Sequence, residues 1–186
     1  MLREIRRDGF VTFFTAVVLI QGIHVVEHII QLFQVYVLRV PEDDALGLLG
    51  YVFEFQGTEE WLHLGFNSVY MLSLFVLTGA LLGRAARWIP AAAVGAFLVG
   101  AVGLETWHVV EHGVITKTIV MNQGCPCPGI LDARLGVSDT VLHFGYNLVA
   151  YAGTVVPYWF LIRRRPTTPE AALMQVPDGE TVRSAA

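Results

Sequence analysis

The stretch FVTFFTAVVLIQGIHVVEHIIQLFQVYVL, residues 10–38, is longer than a helix needs to cross a bilayer, yet it carries His24, Glu27 and His28 near its middle. A hydrocarbon core of ~30 Å takes about 20 helical residues. An ionisable side chain is costly at that depth unless it faces a bundle interior, a cavity or a partner. The phrase HVVEH recurs at 108–112, inside a second apolar stretch, so whatever justifies the cost is needed twice.

Composition points to the membrane. Of 186 residues, 54% are hydrophobic and 15% charged, and the mean hydropathy is +0.56, on the apolar side of soluble domains. Apolar runs near 10–38, 60–83, 88–121 and 138–162 predict an all-α integral membrane four-helix bundle. The first and third are long enough to tilt or project beyond the hydrocarbon. Arg3, Arg6 and Arg7 precede the first run, which is too long for a secretory signal and lacks a small-residue cleavage site, so it reads as a retained anchor.

Loop charge sets the orientation, because Lys and Arg favour the cytoplasmic side. Arg3, Arg6, Arg7, Arg84, Arg87, Arg163, Arg164 and Arg165 all lie on one side of this arrangement. Glu42, Asp43, Asp44, Glu54, Glu59 and Glu60 lie on the other, against Arg39. Both termini are therefore expected in the cytoplasm, in the cell (plasma) membrane. Residues 1–165 form the membrane domain and 166–186 a polar, Pro/Ala-rich tail expected to be disordered. A net charge of -4 without a basic face excludes nucleic acid as a partner. Trp61, Trp88, Tyr158 and Trp159 fall at span borders, where such rings favour the interface. Thr58 and Ser138 read as N-caps of the second and fourth helices.

An internal repeat runs through the four spans. HVVEH at 24 matches HVVEH at 108, an offset of 84, and HLGFN at 63–67 matches HFGYN at 143–147, an offset of 80. The chain thus reads as two tandem helical hairpins, about 10–83 and 88–162, in the same orientation about an axis along the membrane normal. All six histidines, His24, His28, His63, His108, His112 and His143, lie in the repeated phrases.

Residues three, four and seven apart share a helix face. Gln21, His24, Glu27, His28 and Gln31 fall on one face of the first helix, and Glu105, His108, Glu111 and His112 on one face of the third. His63 with Asn67 and His143 with Asn147 form pairs four apart, with Gly65 and Gly145 between them for close helix approach. Each half then offers three imidazoles, enough to hold one metal with a position open. Imidazole suits copper, iron and zinc, so one or two such ions are expected in the outer half of the bundle. Glu27 and Glu111 belong with the metal set, as partners that fix the imidazoles or as bridging ligands. Glu105-x-x-His108 also fits the Glu-x-x-His element of di-iron bundles, whereas its counterpart is Gln21-x-x-His24.

In ligand count the pattern resembles the coupled dinuclear copper centres of hemocyanin and tyrosinase, where two sets of three histidines come from a four-helix bundle. The resemblance covers ligand and helix number only; those proteins are soluble and their histidine spacing differs. The inverted zinc-peptidase motif H-x-x-E-H is present literally, but its doubling in a membrane bundle disfavours it.

The expected function is a redox centre, as oxidoreductase or electron-transfer protein, acting on a lipid-soluble substrate or quinone, with other membrane subunits as further candidate partners. Haem held between histidines on facing helices is the first alternative. A second is metal transport or sensing through Cys125 and Cys127 in GCPCPG, the only cysteines. A third is a metal-free proton relay or hydrogen-bonded structural core.

Overall fold

A computed structural model of the chain describes residues 2–52, 59–83, 89–122 and 129–163. The expectations for Thr58, Trp88, the arginines at 84 and 87, Cys125, Cys127 and the tail from 166 lie outside these residues. The described chain is helical without strands. Among the described residues there are four long helices, α1 (Leu2–Tyr36), α3 (Glu59–Leu82), α4 (Ala91–Met121) and α6 (Asp139–Arg163), with a short one, α2 (Gly47–Val52), between the first two and another, α5 (Asp132–Leu135), between the last two. A 3-10 turn at Glu42–Asp44 precedes α2.

Three of these helices are long and apolar enough to cross a membrane: Gly9–Tyr36 of α1, Trp61–Leu82 of α3 and the whole of α4. Helix α6 has the length, at 25 residues. Its apolarity is diluted by His143, Asn147, Tyr146 and Thr154, which it buries, and by Tyr151 and Tyr158. At 1.5 Å per residue, the 35 residues of α1 extend about 50 Å, more than a hydrocarbon core requires.

The surface is inverted relative to a water-soluble protein. On α1 the buried side chains include Gln21, His24, Glu27, His28, Gln31 and Gln34, while Leu19, Ile20, Ile23, Val26, Ile29 and Phe33 point outward. Helix α3 likewise exposes Val69, Leu72, Phe75 and Val76 around buried Asn67. So large an apolar exterior marks a surface made for a nonpolar neighbour, here lipid.

Inside, polar and apolar residues separate along the helix axes. Phe14, Val17 and Val18 of α1, Leu74, Leu77 and Leu81 of α3, Ala93, Phe97 and Ala101 of α4 and Ala150 of α6 make one apolar cluster. It occupies the end of the molecule that holds the starts of α1 and α4, and the histidines lie beyond it. Thr15 Oγ1 and Tyr158 Oη, 2.9 Å apart, join α1 to α6 at this end.

Helix α6 packs along α1 and along the middle of α4, and α3 packs against the C-terminal part of α4. The contact of α1 with α3 is slighter. Residues Phe97–Gly103 of α4 are π-helical, with the Leu104 N–H reaching back to Val99 O. Gly153 of α6 lies against this segment so closely that an added Cβ would stand 2.8 Å from Ala101 N and 3.0 Å from Ala96 O. Pro157 lacks the N–H that would bind the Gly153 carbonyl, four residues back, which loosens α6 at that approach.

Candidate metal centre

The spacing of the two HVVEH phrases puts their histidines one helical turn apart on the buried face, and the rings turn their outer nitrogens toward each other. His24 Nε2 and His28 Nε2 are 3.3 Å apart, and His108 Nε2 and His112 Nε2 are 3.1 Å apart. A tetrahedral ion bound to nitrogens at ~2.0–2.1 Å sets its ligands about 3.3–3.4 Å apart. Each pair therefore already spans one edge of such a coordination shell. In the metal-free chain, one ring of each pair donates its N–H to the other.

The third histidines come from α3, which carries His63, and α6, which carries His143. His143 Nδ1 lies 2.9 Å from the Asp139 carbonyl oxygen and 3.0 Å from its Oδ1. Both atoms are acceptors, so Nδ1 carries the proton and Nε2 keeps its lone pair for the centre. Ser138, as expected, caps this helix, its Oγ accepting from the Val141 N–H at 3.4 Å. Nitrogens of His108, His112 and His143, all buried, lie within 4.8 Å of one another, and this is the trio with metal-binding geometry among the described residues.

Both halves contribute to one cluster. His63, half-buried, stacks on His112 at 5.5 Å with ring planes 5° apart and stands 5.9 Å from both His24 and His28. His143 reaches across to His28 at 6.3 Å as well as to His112 at 4.7 Å. All six histidines thus meet, through the third histidine of each half.

The acids behave differently from one another. Glu27 Oε1 accepts the Leu49 N–H at 2.6 Å and the Gly50 N–H at 3.4 Å, while Gln34 Oε1 accepts that of Gly47 at 2.9 Å. Glu111 Oε1 accepts the Leu131 N–H at 2.7 Å. Each carboxylate thus spends one oxygen on the segment that follows its own long helix, and Gly47 and Gly129 lie so close to Glu27 and Glu111 that a Cβ at either would collide with the carboxylate. Gly47 also has φ +68°, a conformation glycine adopts freely.

Sequence reasoning missed this role. Its signal is the match of Gly47-Leu48-Leu49 with Gly129-Ile130-Leu131, an offset of 82 between the 84 and 80 of the flanking phrases. Three common residues at a shifted offset are inconspicuous beside the histidines.

Glu105 is fully buried, with Oε2 3.5 Å from His108 Nδ1. Neither oxygen takes part in a hydrogen bond among the described residues. Its counterpart Gln21 donates through Nε2 to Asn147 Oδ1 at 2.8 Å, and Asn147 Nδ2 donates to the His143 carbonyl at 3.0 Å.

On the lipid-facing side of α1 and α3, Val17, Ile20, Leu62, Gly65, Phe66 and Val69 line an apolar groove of about 330 Å³. The Phe66 ring, part of its wall, stacks on His24 at 4.2 Å. On the other side, Trp107 Nε1 donates to Tyr146 Oη at 3.2 Å, and Tyr146 covers His108 at 5.0 Å. No protein family, curated protein or solved structure matches the chain.

Proposed function

We propose that this chain is an integral membrane metalloprotein whose six histidines hold a transition-metal centre, copper, iron or zinc, in the outer half of a four-span bundle. In this reading α6 is the fourth span, the arginine-rich ends are cytoplasmic, and the two hairpins descend from one duplicated unit. The observation that carries it is the pair of Nε2–Nε2 separations, 3.3 Å at His24 and His28 and 3.1 Å at His108 and His112, each with a third imidazole beside it. A polar core meant only to fix helix register needs no third imidazole beside each hydrogen-bonded pair.

The proposed activity is redox chemistry or electron transfer with a lipid-soluble partner such as a quinone. The groove between α1 and α3 supports it, since an apolar molecule reaching Phe66 from the bilayer is one aromatic ring away from His24. Glu27 and Glu111 support the centre by holding the segments that follow α1 and α4, through Oε1 contacts to Leu49, Gly50 and Leu131.

The test begins with elemental analysis of protein purified in detergent without a histidine tag. About two equivalents of one transition metal are expected, one for each set of three imidazoles. The loaded protein is then exposed to oxygen, reductant and quinol. Stable metal inert to all three would overturn the redox activity, and absence of stoichiometric metal after supplementation would overturn the centre itself.

A further inference from the structure

The two sets of histidines differ in the buried group beside them, the carboxyl of Glu105 against the amide of Gln21, and from that difference we infer that the centre has two unequal metal positions, with Glu105 making the His108, His112 and His143 position the tighter one. The inference rests on the metal reading above and deepens it.

A divalent ion held by three neutral imidazoles keeps its full charge in a dry interior, and that charge is costly unless an anion is near. Glu27 and Glu111 occupy matching places and each serves a loop, so they do not distinguish the sets. Glu105 does. It sits one turn before His108 on the same face, fully buried, with Oε2 3.5 Å from His108 Nδ1. At 3.5 Å the carboxyl is an electrostatic neighbour of the ring and not its hydrogen-bond partner; a negative charge there would offset the charge of the ion and favour the proton on Nδ1, which leaves Nε2 for the metal. His143 is fixed in the same sense by Asp139, through Nδ1 contacts at 2.9 and 3.0 Å. At the matching place beside His24 stands Gln21, an uncharged amide whose Nε2 is committed to Asn147 at 2.8 Å.

Ring spacing agrees with the charge. His143 stands 5.2 Å from His108 and 4.7 Å from His112, whereas His63 stands 5.9 Å from both His24 and His28. The second set needs the smaller contraction to close on an ion. Glu105 is thus a positioning residue for one metal position, acting through His108, and Gln21 leaves the other position weaker and more readily exchanged.

The experiment titrates the full-length, metal-stripped protein in detergent with cobalt(II) alone. Binding is followed by ligand-field absorption and by competition with a chromophoric chelator. The wild type is expected to bind in two steps. Glu105→Gln is expected to weaken the first step by roughly 10–100-fold, the usual effect of removing such a partner, and to leave the second unchanged. Gln21→Glu is expected to strengthen the second step and to shift its absorption toward that of the first. His112→Ala should abolish the tight step and thereby assign it.

Thermal unfolding of the metal-free variants separates these effects from a general loss of structure. Two equal steps, or two unequal steps indifferent to both Glu105→Gln and Gln21→Glu, would overturn this inference while leaving the metal centre standing. Failure of the wild type to bind cobalt at all would overturn both.

Discussion

Helix α1 runs as a regular helix from Leu2 to Tyr36, whereas α4 carries seven π-helical residues, Phe97–Gly103, just before Glu105 and its histidines. The aligned segments are FFTAVVL at 13–19 and FLVGAVG at 97–103, so Gly100 and Gly103 stand where α1 has Ala16 and Leu19. Helix α6 seats Gly153 against that glycine-bearing stretch, but α3 offers Ser73 at the matching position and meets α1 only lightly. The same ligand phrases are therefore carried by one tightly closed helix pair and one open pair. Small residues decide how near two backbones come. The open pair has the apolar groove beside His24, and the closed pair has Trp107 bound to Tyr146 over His108.

The most direct way to break the contrast is Gly153→Ala set against Ser73→Ala. An added methyl at Gly153 meets Ala101 N, Ala96 O and Gly100 C, all backbone, which cannot rotate away. The expected cost is about 3 kcal/mol, at the upper end for overpacking. Ser73 gives up only the bond from its Oγ to the Val69 carbonyl within its own helix, at 2.9 Å, and Ser73→Ala is expected to stay within ~0.5 kcal/mol. Thermal unfolding in detergent compares them; equal losses would mean that the two helix pairs are equally close.

The segments that follow α1 and α4 sharpen the comparison next. Among the described residues Glu27 accepts two backbone N–H groups and Glu111 one. Burying a backbone donor without its acceptor costs about 1–3 kcal/mol. Glu27→Ala is accordingly expected to cost about 2 kcal/mol and Glu111→Ala about 1 kcal/mol. Limited proteolysis within 42–52 should quicken in Glu27→Ala and stay slow in Glu111→Ala. Loops that remain equally protected in both would remove the anchoring role.

Much of this was legible in the chain. The long helices follow from apolar runs, and the shared faces of His24 with His28 and His108 with His112 follow from a spacing of four. Ser138 announces the start of α6. The apolarity of α6 falls below that of the other three long helices, because the polar side chains it buries are spread along its length, one at a time. The anchoring of the loops by Glu27 and Glu111 was hidden, since a carboxylate between two histidines reads as part of a metal set and its backbone partners lie about 20 residues away. The π-helical stretch has no sequence period of its own. The contact of His63 with His112 across the two halves depends on helix packing, which spacing within one helix cannot supply.

The third histidines allow a finer test. His143 is fixed through Nδ1 by Asp139 and is buried, while His63 is only half-buried and lies farther from its own pair. A ligand whose ring is already oriented loses less freedom on binding. His143→Ala should therefore weaken the first metal step by about tenfold more than His63→Ala weakens the second, a difference of about 1.4 kcal/mol. Asp139→Asn should move affinity in the same direction by less. The chelator competition reads both, and equal effects of the two histidine changes would make the centre symmetric.

The smallest expected effect concerns the asparagines. Asn147 accepts from Gln21 and donates to the His143 carbonyl, tying the two halves together beneath the histidines. Asn67, its match on α3, is fully buried, yet neither side-chain polar atom takes part in a hydrogen bond among the described residues. Interhelical hydrogen bonds within membranes contribute about 0.6 kcal/mol on average, and an unsatisfied buried amide is itself a cost. Asn147→Leu should thus destabilise by roughly that amount plus strain from the bulkier side chain, whereas Asn67→Leu should be neutral or stabilising. If Asn67→Leu lowers the unfolding temperature as much as Asn147→Leu, a partner for Asn67 must be sought at Glu105, its match to Gln21, and the two halves are more alike than their hydrogen bonds make them.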